Sequence, residues 1–325
     1  MRALPEGLDE SELIASVAEG WGLDVTSARY LAVGGGSYHW VVAEVNGSRL
    51  FVTVDDLDRK GYLGQTRDSA FEGVRSAFDT ALALRLAGGL EFVVAPLPTS
   101  TGETVRRIDS NYTVAVFPFV EGSSRPFHES PTPEERDDLV RMLVRLHKAT
   151  PSATSTVRPM SIQLPGRAAL ESALQELNRE WTGGPFSEPA RTLVAGHAAG
   201  VRRLLEAFDH LGDQVAAAGR PPVITHGEPH PGNVLSTADS LVLVDWDTVG
   251  LAQPERDLWM VDSGTGRELM LYAEEGGRRL DVDAIAMYRI RWKLDDIATF
   301  VNLFRSPHDL TADTEHAWVS LEKSL

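Results

Sequence analysis

Thr225–Thr248 reads THGEPHPGNVLSTADSLVLVDWDT, and the interpretation of this stretch decides the fold. His226, Glu228 and Asn233 stand in H-x-E-x-x-x-x-N spacing, and Asp245 follows twelve residues after Asn233, at the end of the apolar run 241–244. Phosphoryl transfer needs a carboxylate to position a hydroxyl nucleophile and oxygen ligands to hold magnesium against nucleotide phosphates. The stretch supplies both. Taken singly, two histidines, a proline-glycine turn and an aspartate ending a strand also suit a well-bonded surface loop; their joint order and spacing weigh against a purely structural loop. His226, Glu228 and His230 are zinc-type donors as well. Pro229, Pro231 and Gly232 leave no helix to turn them to one face, so magnesium is the expected metal.

Upstream, Gly34-Gly35-Gly36-Ser37 lies between Leu31-Ala32-Val33 and two apolar runs, 41–45 and 50–54, that flank Asn46-Gly47. Asn-Gly takes the positive φ angles of a tight hairpin turn. A glycine loop between strands lets backbone N–H groups approach phosphate, and a plain glycine-rich hairpin is the alternative. Helical spacing begins at Asp9 or Ser11 with Leu13, Ile14, Val17, Ala18 and Trp21, and returns over 66–86 with Phe71, Val74, Phe78 and Leu82. Strands are expected at 92–95 and 112–117. Pro118–Gly122, PFVEG, then reads as a hinge: Pro118 has no N–H, so the backbone groups of Phe119 and Val120 are the ones able to meet a purine edge.

Beyond the hinge, helices are expected over 132–150, 166–180, 188–218, 255–274 and 282–305, with short strands only at 223–225 and 241–244. The fold class is therefore α+β. The domain organisation is a small antiparallel-sheet lobe (1–117), a hinge (118–122) and a larger, mainly helical lobe (123–325) with the nucleotide cleft between the lobes.

Composition narrows the partners. Across 325 residues, Lys+Arg 31 against Asp+Glu 47 gives a net charge of −16, which disfavours nucleic acid and favours a cationic small molecule. The absence of cysteine excludes disulfides, thiolate zinc sites, iron–sulfur clusters and a cysteine nucleophile. MRALPEGLDESEL lacks the apolar core of a secretory signal, and no run approaches the roughly 20 apolar residues of a membrane span. A cytoplasmic protein without a membrane partner is expected.

With HGEPHPGN, VDWDT and ERDL in place, the chain resembles the aminoglycoside phosphotransferase family, the antibiotic-kinase and choline-kinase-like branch of the protein-kinase fold. The last two motifs, with FPFVEG, look most like its spectinomycin-kinase subgroup. The resemblance covers nearly the whole chain and implies a bilobal protein-kinase-like fold. It makes Glu228 the catalytic carboxylate, Asn233 and Asp245 the metal ligands, His226 part of the loop scaffold and Asp257 a structural anchor beneath it. The implied activity is Mg2+-dependent transfer of the γ-phosphoryl group of ATP or GTP to a hydroxyl of a small, amino-bearing molecule, with antibiotics the first candidates. A catalytically impaired pseudokinase or ligand-binding protein is the alternative from another class, and a choline-, sugar- or homoserine-type kinase the alternative within it.

Two departures stand out. The family carries a lysine on its third strand, where LFVTVDD places Thr53, a hydroxyl without charge. The lysines are Lys60, Lys148, Lys293 and Lys323, so Lys60 is the first lobe's only lysine and the expected replacement, with Arg49, Arg59 and Arg67 as other candidates and a solvated loop lysine as the alternative. Glu72 is the helix carboxylate able to orient such a cation, or a solvated one. Glu228 stands where the family has aspartate, which lengthens the reach of the carboxylate by one methylene. For the acceptor, Asp295-Asp296 in RIRWKLDDIATF is the favoured anionic pair, since Trp292, Ile297 and Phe300 place it on a partly buried helix. Arg289, Arg291 or Lys293 could also serve as its partner.

Overall fold

The computed structural model describes residues 3–127 and 129–325. The chain runs α1 (Glu10–Trp21), β1 (Val25–Leu31), β2 (Tyr38–Glu44), β3 (Arg49–Asp56), α2 (Arg67–Leu86), β4 (Arg106–Arg107), β5 (Tyr112–Pro118), α3 (Pro133–Lys148), α4 (Arg167–Gln175) and α5 (Ser187–Ala218). It continues through β6 (Val223–Thr225), β7 (Val234–Ser236), β8 (Leu241–Leu243), β9 (Gly250–Ala252), α6 (Glu255–Val261), α7 (Arg267–Gly276), α8 (Val282–Arg305) and α9 (Ala312–Ser324). This is the expected mixed α+β chain, with an antiparallel sheet first and helices dominating afterwards.

The sheet has order β1-β2-β3-β5-β4, with antiparallel neighbours throughout. Its strands alternate because one face meets α1 and the other meets α2. Leu50, Val52 and Val54 of β3 pack with Trp40, Val42, Val114 and Val116 against Leu13 and Val17 of α1. Phe51 of β3 turns to the opposite face, where Ala115 and Phe117 meet Val74 and Phe78 of α2. Thr53 and Asp55 share the parity of Phe51. The helix starts are chemically specified: Thr66 and Thr132 close capping boxes with Ser69 and Glu135, satisfying N–H groups that a helix leaves open.

Two compact units emerge. Residues 1–160 with 222–279 form one, and 161–221 with 280–325, carrying α4, α5, α8 and α9, form the other. The five-stranded sheet, residues 118–122 and strands β6 to β9 thus share a unit. Several local expectations are corrected. The strand expected at 92–95 is a single parallel bridge, Val93 to Leu243. The helix expected over 255–274 breaks into α6 and α7, because Gly264 and Gly266 both adopt positive φ. The helix expected over 166–180 ends at Gln175. The three-residue strands β7 and β9 are too short to show alternation and were not expected.

Candidate active site

The loop 226–233 links β6 to β7 and is pinned from below. Asp257, fully buried at the start of α6, accepts hydrogen bonds from the backbone N–H of His226 (2.9 Å to Oδ2) and of Gly227 (2.6 Å to Oδ1). Its Oδ2 also meets His147 Nε2 at 3.1 Å, and His147 Nδ1 meets the Tyr272 hydroxyl at 2.8 Å. Burial pushes the Asp257 carboxyl up, but His147 and Arg256 outweigh it and hold the group below the usual range. Arg256 ties the loop to its surroundings through Thr225 Oγ1 (2.8 Å) and the Thr248 carbonyl (2.9 Å). Gly227 sits at φ +102°, and a Cβ there would collide with the Arg256 guanidinium. Asp257 thus joins the two ends of this anchor, the His226–Gly227 backbone and the His147 ring.

His226 has no lone pair left for a metal. Its Nδ1 accepts from the Glu228 N–H at 3.2 Å, so Nε2 carries the proton and donates to the Val244 carbonyl at 2.9 Å. The ring also lies edge-on to Trp246, with centroids 4.6 Å apart. A zinc site on His226, Glu228 and His230 is thereby excluded.

Glu228, Asn233 and Asp245 converge around this scaffold. Asn233 Nδ2 donates to the Glu228 carbonyl at 3.0 Å, and the Asn233 carbonyl accepts from Val244 N at 3.0 Å. This fixes the loop against the residue preceding Asp245. Asp245 adopts φ +65°, the one non-glycine residue with positive φ among the described residues. Such a conformation costs about 1–3 kcal/mol and clusters at functional sites. The Glu228 carboxyl is pushed up to about 8, first by burial and then by the charges of Asp245 and Asp247. Asp245 is raised likewise, by its crowded surroundings and then by Asp247. Neither the Asp245 carboxylate nor the Asn233 side-chain oxygen has a hydrogen-bond partner among the described residues. An amide oxygen and a carboxylate left uncommitted are hard donors that suit Mg2+, which takes few protein ligands and completes its shell with phosphate and water.

The glycine loop covers a buried ion cluster. Lys60, 1% exposed, follows β3 and directs Nζ to Asp55 Oδ1 (2.8 Å), Asp247 Oδ2 (2.7 Å) and Ser37 Oγ (3.0 Å). A Cβ placed on Gly36 would lie 3.8 Å from the same Nζ. Burial opposes the ammonium form, yet Asp247 and Asp55 together raise the Lys60 pKa well above its ordinary value. Lys60 is therefore not a solvated loop lysine. Thr53 is buried, with its hydroxyl 3.3 Å from His39 Nδ1. Glu72, by contrast, is exposed and paired with Arg75, so the carboxylates beside the lysine are Asp55 and Asp247. Gly34 and Gly35 lie exposed beside Gly36, with Gly34 at φ +70°. Phe119 and Val120 leave β5 half-buried, and the Arg49 guanidinium lies 4.3 Å over the Phe119 ring.

Asp295 and Asp296 belong to the other unit, half-buried on α8. Burial raises both carboxyls, Asp296 to about 6 with Asp295 as the second cause. The sequence reading missed Asp55, Tyr62 and Asp247. A signal existed for two of them: Asp55 has the strand parity of Thr53, and Asp247 stands two residues after Asp245.

The sequence profile of the phosphotransferase enzyme family matches residues 40–292. The chain is 30% identical over 267 residues to protein StrN of Streptomyces griseus, covering 79% of this chain and 78% of that one. Its fold resembles that of spectinomycin phosphotransferase, solved with ADP and spectinomycin, with TM-score 0.73 at 17% identity over 98% of this chain and 95% of that one. It also resembles choline kinase from Streptococcus pneumoniae, with TM-score 0.56 at 14% identity over 97% and 99% of the two chains.

Proposed function

The chain belongs to the phosphotransferase enzyme family, and we propose that it moves the γ-phosphoryl group of ATP or GTP, with Mg2+, to a hydroxyl of a small amino-bearing acceptor. An aminoglycoside- or aminocyclitol-like antibiotic is the first class of acceptor, in line with the spectinomycin bound by a structural relative. The observation that carries this reading is Glu228, held on an Asp257-anchored loop beside Asp245 with its carboxyl raised to about 8. A base of that affinity suits removal of a hydroxyl proton near neutral pH.

In the reaction, a Glu228 carboxylate oxygen takes the proton while the acceptor oxygen bonds to the γ-phosphorus. The bond from that phosphorus to the β-phosphate oxygen breaks, and ADP or GDP leaves. Asn233 and Asp245 would hold magnesium, which supplies charge neutralisation at the phosphates. Gly34, Gly35, Gly36 and Ser37 cover the phosphates, with Lys60 as the cation and Thr53 as a neutral hydroxyl. Phe119 and Val120 offer backbone groups to the purine. Asp295 and Asp296 are assigned to cationic groups of the acceptor, because a neighbouring ammonium relieves the cost of ionising carboxyls that burial has raised. We place the protein in the cytoplasm, where ATP and GTP are made available; no helix among the described residues is long and apolar enough to cross a membrane.

The test is calorimetry with ATP and GTP, with and without Mg2+, on the wild type and Asp245→Ala. Magnesium-dependent binding should be lost in the variant. A panel of aminocyclitols, aminoglycosides, choline and sugars, read by the mass of one added phosphoryl group, then identifies the acceptor. Failure of the wild type to bind either nucleotide would sink the proposal. A nucleotide-binding protein without transfer is the second reading, favoured by the neutral Thr53 at the strand position; any phosphorylated product excludes it.

A further inference from the structure

The Lys60 ammonium has three protons and three close acceptors: Asp247 Oδ2 at 2.7 Å, Asp55 Oδ1 at 2.8 Å and Ser37 Oγ at 3.0 Å. The Tyr62 hydroxyl at 3.3 Å is a fourth, longer contact. As the cluster stands, no proton remains for a phosphate oxygen. One acceptor has to yield before Lys60 can grip a nucleotide.

The two carboxylates are not equivalent. Asp55 lies on β3, 1% exposed, and is tied to Ser37 Oγ at 2.6 Å. Lysine, serine and Asp55 therefore come from one continuous piece of sheet and its following turn. Asp247 comes from the segment after β8, 187 residues away from Lys60 in sequence. Asp55 also keeps a reserve, because its Oδ2 is buried without a partner. A Lys60 proton withdrawn from Asp247 thus has a second acceptor on a carboxylate it already touches, and the ammonium is not left stranded.

We propose that Asp247 stands in for a phosphate oxygen: it competes with nucleotide for Lys60, nucleotide binds by displacing it, and its charge sets nucleotide affinity by opposing it. Asp55 is the permanent counter-ion that orients Lys60, and Asp247 is the exchangeable one. Tyr62, whose hydroxyl donates to Asp247 Oδ2 and whose side chain is 41% exposed, holds Asp247 in the blocking position. The inference rests on the nucleotide site assigned above.

The two carboxylates then predict opposite outcomes. By calorimetry with Mg-ADP, Asp247→Asn should bind about tenfold more tightly than wild type, since a charge-assisted competitor for Lys60 becomes a neutral one. Asp55→Asn should bind about tenfold more weakly, because it loosens the lysine. Tyr62→Phe removes one hydroxyl from a side chain outside the two sheet-packing clusters, and should tighten binding about twofold to threefold even if the Asp247 variant folds poorly. Weaker or unchanged binding in Asp247→Asn and Tyr62→Phe, with a wild type that binds, would overturn this inference alone. A wild type that binds no nucleotide removes the site on which both readings rest.

Discussion

Replacing Lys60 by methionine keeps the length of the side chain and removes its charge, which makes the ion cluster's contribution to stability measurable. Lys60 and Asp55 are each 1% exposed and Asp247 is 7% exposed, so the variant leaves two carboxylates facing only the Ser37 and Tyr62 hydroxyls. Breaking a buried pair by deleting one partner costs about 3–5 kcal/mol, a large share of the roughly 5–15 kcal/mol that holds a typical domain folded. Urea unfolding of Lys60→Met at pH 7.5 should show a loss of that size, and a double variant with Asp55→Asn should recover about 1–3 kcal/mol by removing one uncompensated charge. The pH dependence should reverse as well. In the wild type, Lys60 and Tyr62 overcome burial and hold Asp247 below its ordinary pKa. That stabilisation is present above the unfolded value, about 3.9, and is lost as pH falls through the depressed folded value. Without the lysine, burial, the largest influence on Asp247, outweighs the remaining Tyr62 hydrogen bond and raises it, so the stability it contributes is greatest below about pH 3.9 and falls as pH rises through the raised folded value. Acidification from pH 7.5 to pH 5 should therefore narrow the gap between variant and wild type. A Lys60→Met protein within about 1 kcal/mol of wild type at pH 7.5, with an unchanged pH profile, would refute the reasoning.

Two further outcomes follow from the loop. Glu228→Gln should lower kcat by about 10²–10⁴ while leaving nucleotide affinity near wild type, read by steady-state kinetics and calorimetry. Because the Glu228 carboxyl is raised to about 8, wild-type kcat should climb as pH passes through that value. Its contribution to stability is full below the ordinary glutamate pKa and lost over the same rise toward pH 8, so the glutamine variant should lose both the rate limb and the alkaline stability slope. Asp257→Asn turns one of two anchoring acceptors into a donor facing N–H groups or His147. It should cost about 1–3 kcal/mol in thermal or urea unfolding and depress kcat through a loosened loop.

Elements written in local chemistry were legible. The capping boxes at Thr66 and Thr132, the apolar stripe of α2 and the Asn46-Gly47 turn each depend on residues a few positions apart, so the boundaries of α2, α3 and α8 fell within one or two residues of expectation. The reading of Glu228, Asn233 and Asp245 as one constellation drew likewise on a single stretch, 228–245. What the sequence hid were pairings set by long chain separation. Asp247 meets Lys60 across 187 positions and Asp257 meets His226 across 31; in the first case only the need of a buried charge for a partner selects the pair. The break between α6 and α7 was concealed differently, because two glycines within a helical pattern can be tolerated until their φ angles are known.

The two departures from the family pattern acquire a common physical logic once the cluster is considered. A lysine on a strand has its backbone fixed by ladder hydrogen bonds and needs one carboxylate to aim it. Lys60 instead caps the short turn after β3, where its N–H donates to the Leu57 carbonyl and its own carbonyl accepts from Leu63 and Gly64, and three acceptors hold its ammonium. Asp55 supplies the aiming carboxylate from the strand itself, which leaves Glu72 on α2 free to face solvent with Arg75. Asp247 then adds a second negative charge next to Asp245, and the same charge contributes to raising Glu228 to about 8. The carboxylate that holds Lys60 thus also acts through its field on the loop that carries Glu228. If Asp247 is displaced from Lys60 by nucleotide, its charge stays near Glu228 and keeps the base basic at the moment a hydroxyl proton must be taken.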